Sequence, residues 1–162
     1  MYIIGMMDET DRAIVTMLQA DGRIANAEIA RRIGMAPSAI LERIRKLEER
    51  GIVRGYTARV DPGALGYGLL AYVLVRTTDC PGQDQTGPAL AALPEVQEVH
   101  HIAGDDCFLV KVRARDTESL GRLLRERLGG MTSVRNTRTT IVLDTIKDTT
   151  LVPVDAEEPH HV

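Results

Sequence analysis

The sequence predicts an α+β protein: a helical N-terminal part, then a C-terminal part in which two helices cover one face of a four-stranded antiparallel sheet. Three observations lead to this class. Apolar residues recur at helical spacing up to about residue 50, and the pattern then changes to short apolar runs typical of strands. The 162 residues suffice for two compact units of ordinary size. A hydrophobic share of 44% allows each unit to bury a core.

The N-terminal part is predicted to hold three short helices. Asp8 or Thr10 can cap the first, and Asn26 can cap the second, because short polar side chains accept from the free N–H groups of a first turn. Gly34 suits the left-handed residue after the second helix, and Pro37 suits the first turn of the third. These signals predict helices over residues 8–20, 26–33 and 37–50.

The pattern changes after Gly51. Residues 52–60 carry extended and turn signals, which predict a short hairpin or wing. Asp61-Pro62-Gly63 then marks a turn-rich connection. Further on, alternating or continuous apolar residues predict strands over 69–75, 96–103, 108–114 and 133–147, and helices over 89–93 and 117–128.

This order of elements, βαββαβ, is that of the ferredoxin-like arrangement, with both helices on one face of the sheet. The other face is left without cover, so we expect a second copy of the chain to bury it in a homodimer or larger assembly. The predicted domains are a winged helix-turn-helix over residues 1–60, a linker over 61–68, the βαββαβ domain over 69–150 and a disordered acidic tail over 151–162.

Charge is distributed unevenly along the chain. The whole chain carries a net charge of -3, whereas residues 22–59 hold nine basic and four acidic residues, a local excess of +5. A basic excess on a helix-turn-helix predicts contacts with the phosphates of double-stranded DNA. A solvated basic face is the alternative that charge alone leaves open.

The third helix is the candidate recognition helix. Its apolar stripe faces the predicted core, so the opposite side of the helix is left facing outward. Ala39 could meet a thymine methyl, Glu42 could accept from a cytosine amino group, and Arg45 could contact guanine or a phosphate. Arg43 lies beside the core stripe, so it could instead pair with an acid of the second helix. The candidate DNA-binding residues are Arg31, Arg32, Ser38, Ala39, Glu42, Arg43, Arg45, Lys46 and Arg54.

Several other classes of protein are not indicated. The longest apolar stretch, Leu69 to Val75, is too short to span a membrane, so a cytoplasmic protein is expected. Cys80 and Cys107 lack the spacing of a zinc or disulfide framework, and no catalytic motif is present, so we predict neither a metal site, a cofactor nor an enzyme.

Several motifs resemble those of the leucine-responsive and asparagine regulator family, Lrp/AsnC. Residues 7–11 (MDETD) and 19–23 (QADGR) resemble the opening of the family, and residues 43–53 (RIRKLEERGIV) resemble its junction of recognition helix and wing. Gly104-Asp105-Asp106 resembles a family loop, and residues 134–142 resemble its final strand. The sequence has Ala36 where the family often has serine at the cap of the recognition helix.

The resemblance implies a transcription regulator that binds an amino acid or similar metabolite between subunits, with dimers that assemble into tetramers or octamers. The effector residues it indicates are Gly104, Asp105, Asp106, Thr137 and Thr139. Acidic oxygens would accept from the ammonium group of an amino acid and hydroxyls would donate to its carboxylate. The alternative is a plain hairpin turn beside ordinary strand threonines.

Two other functions stay open from the sequence. One is an architectural, nucleoid-type protein that binds DNA with little sequence preference. The other is an enzyme on the same scaffold, since siroheme decarboxylases resemble this family and His100-His101 lies on a predicted strand. Adjacent strand residues point to opposite faces, however, which disfavours a shared histidine centre.

Overall fold

The computed structural model describes residues 7–78, 85–104 and 106–154. It divides into two compact units, each with its own hydrophobic core. The first unit contains the residues up to Arg59 together with those from Asp148 onward, and the second contains Val60–Lys147. The predicted linker, residues 61–68, thus groups with the second unit.

The first unit contains the three predicted helices: α1 (Glu9–Ala20), α2 (Asn26–Ile33) and α3 (Pro37–Glu49). Asp8 caps α1, because its Oδ1 accepts from the backbone N–H of Asp11 at 2.7 Å. The apolar stripes of the three helices meet in one core, which buries Ile14, Ile29, Ala30, Ile40, Ile44 and Leu47.

The prediction that Asn26 caps α2 is wrong. Ala25 occupies the cap position in an extended conformation and makes no side-chain cap bond, so Asn26 is the first residue of the helix. The other end of α2 follows the prediction. Gly34 adopts a φ of 79°, in the left-handed region that favours glycine, and its N–H donates to Ala30 O at 2.8 Å. This turn joins α2 to α3.

The predicted hairpin over residues 52–60 does not form within the chain. Residues 54–60 run without any strand pairing, and a turn follows in which the N–H groups of Leu65 and Tyr67 donate to Pro62 O. A strand forms only where its backbone N–H and C=O groups pair with a second strand. No strand of the described residues pairs with residues 54–60.

The second unit has the predicted βαββαβ order and is a ferredoxin-like domain. The sheet order is β2-β3-β1-β4, and all three pairings are antiparallel. The elements are β1 (Leu69–Thr77), α4 (Thr86–Ala91), β2 (Val96–His101), β3 (Phe108–Ala114), α5 (Thr117–Arg122), a π-helical continuation (Leu123–Leu128) and β4 (Val134–Ile141).

The two faces of the sheet differ in burial. On the helix side, Val73 of β1 pairs with Val110 of β3, and both are fully buried with Leu90 of α4 and Leu120 of α5. The alternate residues turn to the other face, because strand side chains alternate between faces. There Tyr72, Leu74 and Leu109 are only half-buried.

The last strand is shorter than predicted. It ends at Ile141, which pairs with Ala71, and one further bond joins Val142 N to Leu70 O at 2.9 Å, next to the first residue of β1. Residues 143–147 therefore lack a neighbouring strand, and Leu143 is 98% exposed. Helix α4 also differs from its prediction, since it begins at Thr86 and ends at Ala91 rather than covering 89–93.

The predicted helix over residues 117–128 is present, but its second half is π-helical. Asp116 caps its start by accepting from Ser119 N at 2.7 Å. At its end Gly129 N donates to Leu124 O, five residues back. A Cβ on Gly129 would lie 2.6 Å from Arg125 O, so this close approach of backbone to backbone requires glycine.

The described residues from Asp148 onward form hydrogen bonds within the first unit. Gln19 donates through Nε2 to Val152 O at 2.9 Å and accepts from Val152 N at 2.7 Å, and Arg59 donates to Asp148 O at 3.0 Å. Of the predicted disordered tail, residues 151–154 are described, and residues 155–162 lie outside the described part. None of the helices in the described ranges has the length and apolar character to cross a bilayer.

Candidate nucleic-acid interface and effector site

Helix α3 presents a polar face whose position follows from its buried stripe. Ile40, Ile44 and Leu47 are at most 6% exposed, and they fix which side of the helix faces the core. Ser38, Glu42, Arg45 and Lys46 are all exposed on the opposite side, and Ala39 is half-buried at its edge. The predicted DNA-reading residues of α3 therefore share one accessible surface, the reader face.

Within that surface the cations are paired with carboxylates. Arg45 donates to both carboxylate oxygens of Glu42, through Nε at 3.0 Å and Nη2 at 2.8 Å, and its Nη1 bonds Glu49. Lys46 Nζ lies 3.5 Å from Glu42 Oε1. The hydrogen bonds from Arg45 lower the pKa of Glu42 to about 2, so Glu42 is ionised at neutral pH.

Arg43 joins α3 to α1. Its Nη1 donates at 2.7 Å to both Asp8 Oδ2 and Asp11 Oδ1. The suggested pairing with an acid of the second helix is therefore wrong, because the acids that reach Arg43 come from the start of α1. The pKa of Asp8 is lowered, mainly by the backbone N–H of Asp11 and next by Arg43. Arg43 thus links α3 to the start of α1 through two ion pairs.

The predicted phosphate contacts of α2 form a second charged group. Arg31 makes two 2.8 Å bonds to Glu28, and Arg32 Nε makes a third at 2.7 Å. These bonds lower the pKa of Glu28 to about 2, with the bond from Arg31 as the largest cause. Both arginine side chains are more than half exposed, and Arg54, which follows α3 in the chain, is exposed as well. All three can still meet a phosphate.

The predicted effector loop connects β2 to β3. Gly104 has a φ of 135°, a conformation that favours glycine, and Asp105 lies outside the described residues. Asp106 is described, and its Oδ2 accepts from Arg138 Nη2 of β4 at 3.0 Å. The carboxylate of Asp106 is 18% exposed, whereas the guanidinium side chain of Arg138 is 70% exposed.

Thr137 and Thr139 do not lie beside that pair. They are opposite Val75 and Val73 of β1, so they belong to the helix side of the sheet, and both are half-buried. Arg138 lies between them in sequence and points to the other face. The structure therefore brings Asp106 to Arg138 rather than to the two threonines.

The two adjacent histidines are separated by the sheet. His100 Nε2 lies 3.2 Å from Glu98 Oε2, and Glu98 also accepts from Lys111 Nζ at 2.8 Å. His101 stacks on Phe108 with ring centroids 5.2 Å apart. Within the described ranges, His, Cys, Asp and Glu side chains form no group of three or more that could hold a metal ion.

Three residues of these surfaces were missed from the sequence. Glu49 stands four positions after Arg45, and this spacing on a helix could have indicated the pair. Leu41 is 57% exposed on α3, and the helical angle alone would have put it on the flank of the reader face. Arg138 meets Asp106 through a contact 32 positions apart in sequence, which no local pattern signals.

Comparison with known proteins gives a consistent result for both units. The family model described as Lrp/AsnC ligand binding domain matches residues 70–152, and the model described as winged helix-turn-helix DNA-binding matches residues 7–54. The HTH-type transcriptional regulator FL11 of Pyrococcus horikoshii is 40% identical over 148 residues, 91% of this chain and 97% of that protein. The leucine-responsive regulatory protein of Escherichia coli K12 is 38% identical over 143 residues, 87% of each chain.

Solved structures are similar over nearly the whole chain. A transcriptional regulator from Neisseria meningitidis, solved as an L-Met complex, has a TM-score of 0.87 at 28% identity and covers 93% of this chain and 98% of its own. The feast or famine regulatory protein of M. tuberculosis, complexed with L-methionine, has a TM-score of 0.82 at 37% identity and covers 91% and 99%. With its fold, its helix-turn-helix and these matches, the chain belongs to the Lrp/AsnC family of transcription regulators.

Proposed function

We propose that this protein is a homo-oligomeric, sequence-specific transcription regulator that reads double-stranded DNA with α3 and responds to an amino acid bound by its C-terminal unit. The observation that carries the proposal is the exposed face of α3, where Ser38, Glu42, Arg45 and Lys46 share one accessible surface of a helix-turn-helix. Such a helix fits the major groove, where each base pair has its own pattern of donors and acceptors.

Arg45 reads DNA by exchanging partners. In the free protein its donors are taken by Glu42 and Glu49. Guanine offers two acceptors, O6 and N7, that match the same guanidinium fork, and the released carboxylate of Glu42 can accept from the amino group of a cytosine. Lys46 and the exposed Arg31, Arg32 and Arg54 supply the phosphate contacts that position the helix.

Glu42 also restrains binding to random DNA, because its negative charge faces the phosphates and pairs with Arg45. We expect Glu42→Gln to raise affinity for a scrambled duplex about 3- to 10-fold at low salt and to lower the ratio of operator to scrambled affinity. Fluorescence anisotropy with labelled duplexes measures both affinities.

The matched control is Glu48→Gln, which removes an equal charge from the same helix. Glu48 is exposed, but it accepts from Tyr56 Oη at 3.0 Å and lies off the reader face. An equal gain for both variants would show that only net charge matters and would contradict the role given to Glu42.

The amino-acid site is proposed at the Asp106–Arg138 pair. A carboxylate beside an exposed guanidinium offers the two charges that a zwitterion needs, an acceptor for its ammonium group and a bidentate donor for its carboxylate. Gly104 belongs to the same loop as Asp106, whereas Thr137 and Thr139 lie on the other face of β4 and are left out of the proposed site. The methionine complexes of the two similar regulators support an amino acid as the ligand class.

A thermal-shift screen against the amino acids tests this site. A ligand at 100 times its Kd stabilises the folded protein by about 2.7 kcal/mol, which corresponds to a rise in Tm of roughly 5–10 °C. Arg138→Ala is expected to remove the rise, because the carboxylate of the ligand loses its partner.

Arg135→Ala is the control for that screen, since Arg135 is an exposed arginine of the same strand. It should keep the full shift of the unmodified protein. A shift that persists in Arg138→Ala would move the amino-acid site elsewhere, and no shift with any amino acid would contradict the proposed effector class.

The face of the sheet that α4 and α5 leave uncovered supports the proposal that the chain assembles. Tyr72, Leu74 and Leu109 lie there half-buried, and a second copy of the chain would bury them. We propose a homodimer that assembles into tetramers or octamers and works in the cytoplasm, where its DNA lies. A dimer with two α3 helices predicts two half-sites about one helical turn apart, or a multiple of it.

We propose no enzymatic role. His100 pairs with Glu98, whereas His101 stacks on Phe108, so the two rings serve different faces of β2. This arrangement does not favour a tetrapyrrole between them. Visible absorbance of the purified protein would contradict this part of the proposal.

A further inference from the structure

Leu41 stands out from the other apolar residues of α3. Its neighbours in the core stripe, Ile40 and Ile44, are at most 6% exposed, whereas Leu41 is 57% exposed. The other large apolar residues exposed in the described part of the chain lie in loops, in β4 or after it. A single exposed leucine is ordinary on a protein surface, so only its position can indicate a function for Leu41.

Leu41 lies in one column of α3 with two proposed DNA-reading residues. Ser38 precedes it by three positions and Arg45 follows it by four, spacings at which helical side chains are neighbours about 5–6 Å apart. Helical side chains also lean toward the N-terminal end of the helix. Leu41 therefore leans toward Ser38, at the end of the recognition helix that contacts base edges in other helix-turn-helix proteins.

The chemistry of Leu41 limits what it can meet there. It has no donor or acceptor for a phosphate or a polar base edge, and in the major groove the apolar feature is the 5-methyl group of thymine. Its neighbour Arg45 donates to Glu42 and so serves the polar contacts, which leaves an apolar contact to Leu41.

We propose that Leu41 is a specificity-determining residue that recognises thymine methyl groups in the operator half-site, next to the base read by Arg45. This inference rests on the proposed sequence-specific binding by α3. Ala39, the residue first expected to meet a thymine methyl, lies at the opposite edge of the face and is half-buried. Leu41 reaches farther and lies on the flank of Arg45.

The test uses an operator duplex selected from a random library with the full-length protein. Each thymine is replaced in turn by deoxyuridine, which removes only the methyl group, and affinity is measured by fluorescence anisotropy. We expect one or two positions in each half-site to lower the affinity of the unmodified protein about 3- to 5-fold, the scale of one buried methyl group. Leu41→Ala should lose a similar factor on the thymine operator and nothing further at those positions.

Glu48→Gln, on the same helix but off the reader face, is the control and should keep the sensitivity at those positions. If Leu41→Ala remains sensitive at every position, or if the unmodified protein is insensitive at all of them, the proposal for Leu41 is overturned while selective binding by α3 stands. If the library yields no preferred operator, both proposals fail. A change of oligomeric mass in Leu41→Ala, measured by light scattering, would assign Leu41 to a subunit contact and overturn its role in reading DNA.

Discussion

Replacing Arg45 with alanine is expected to weaken operator binding by about 1–3 kcal/mol, roughly a 5- to 150-fold loss of affinity, and to relax the preference for one base pair. The effect is large because the guanidinium of Arg45 already presents its donors as a fork, held by two bonds to Glu42, and guanine accepts the same fork. Anisotropy titrations on operator and scrambled duplexes at one salt concentration measure the two losses separately.

Lys46→Ala is the control for Arg45→Ala. Lys46 is the next residue on the same helix, but its ammonium group has no fork, and we propose it as a phosphate contact only. It should lower affinity for both duplexes by similar factors and reduce the salt slope by about one. Equal losses on operator and scrambled DNA for Arg45→Ala would contradict its role as a reader.

Replacing Arg43 with alanine is expected to destabilise the N-terminal unit by about 1.5–3 kcal/mol, the range for hydrogen bonds to charged groups. The reason is Asp11, which is only 9% exposed and would lose the 2.7 Å bond that compensates its charge. Asp8 would lose its bond to the same Nη1. Urea denaturation followed by circular dichroism measures the change in the free energy of unfolding.

A second substitution separates this structural role from DNA reading. Adding Asp11→Asn to Arg43→Ala removes the uncompensated charge, so part of the lost stability should return. Arg45→Ala provides a reference, because Arg45 is exposed and its loss should leave the free energy of unfolding nearly unchanged. If Arg43→Ala keeps normal stability and loses only operator affinity, Arg43 reads DNA and its contacts with α1 matter little.

The N-terminal unit could be predicted from the sequence because its signals are local. The stripe of Ile40, Ile44 and Leu47 orients α3, while Gly34 and Pro37 mark the turn before it, and each acts within a few residues. The same stripe predicted which side of α3 is exposed, and the proposed DNA-reading residues lie there. Cap positions were harder to predict. The cap of α2 is Ala25 rather than Asn26 because the backbone conformation of the preceding turn decides which residue begins the helix.

Features that depend on distant residues could not be predicted. The end of β4 at Ile141 is set by where its partner β1 begins, and the sequence of 142–147 is as apolar as a strand. The partners of Arg43 lie 32 and 35 positions away, and Arg138 reaches Asp106 over 32 positions. Alternation along β4 puts Arg138 on the opposite face from Thr137 and Thr139. The sequence motif alone did not show which of these residues lies on the face of Asp106.

Whether α3 distinguishes one DNA sequence from another can be measured by selection from a random library. Full-length protein is incubated with a random duplex library at near-physiological salt, and the affinities of the enriched and scrambled duplexes are then compared. If α3 reads sequence, we expect two related half-sites about 10 base pairs apart, or a multiple of that spacing, and an affinity ratio of about 1,000 or more. No enriched sequence, with a ratio near one and a steep salt dependence, would contradict it and identify an architectural DNA-binding protein instead.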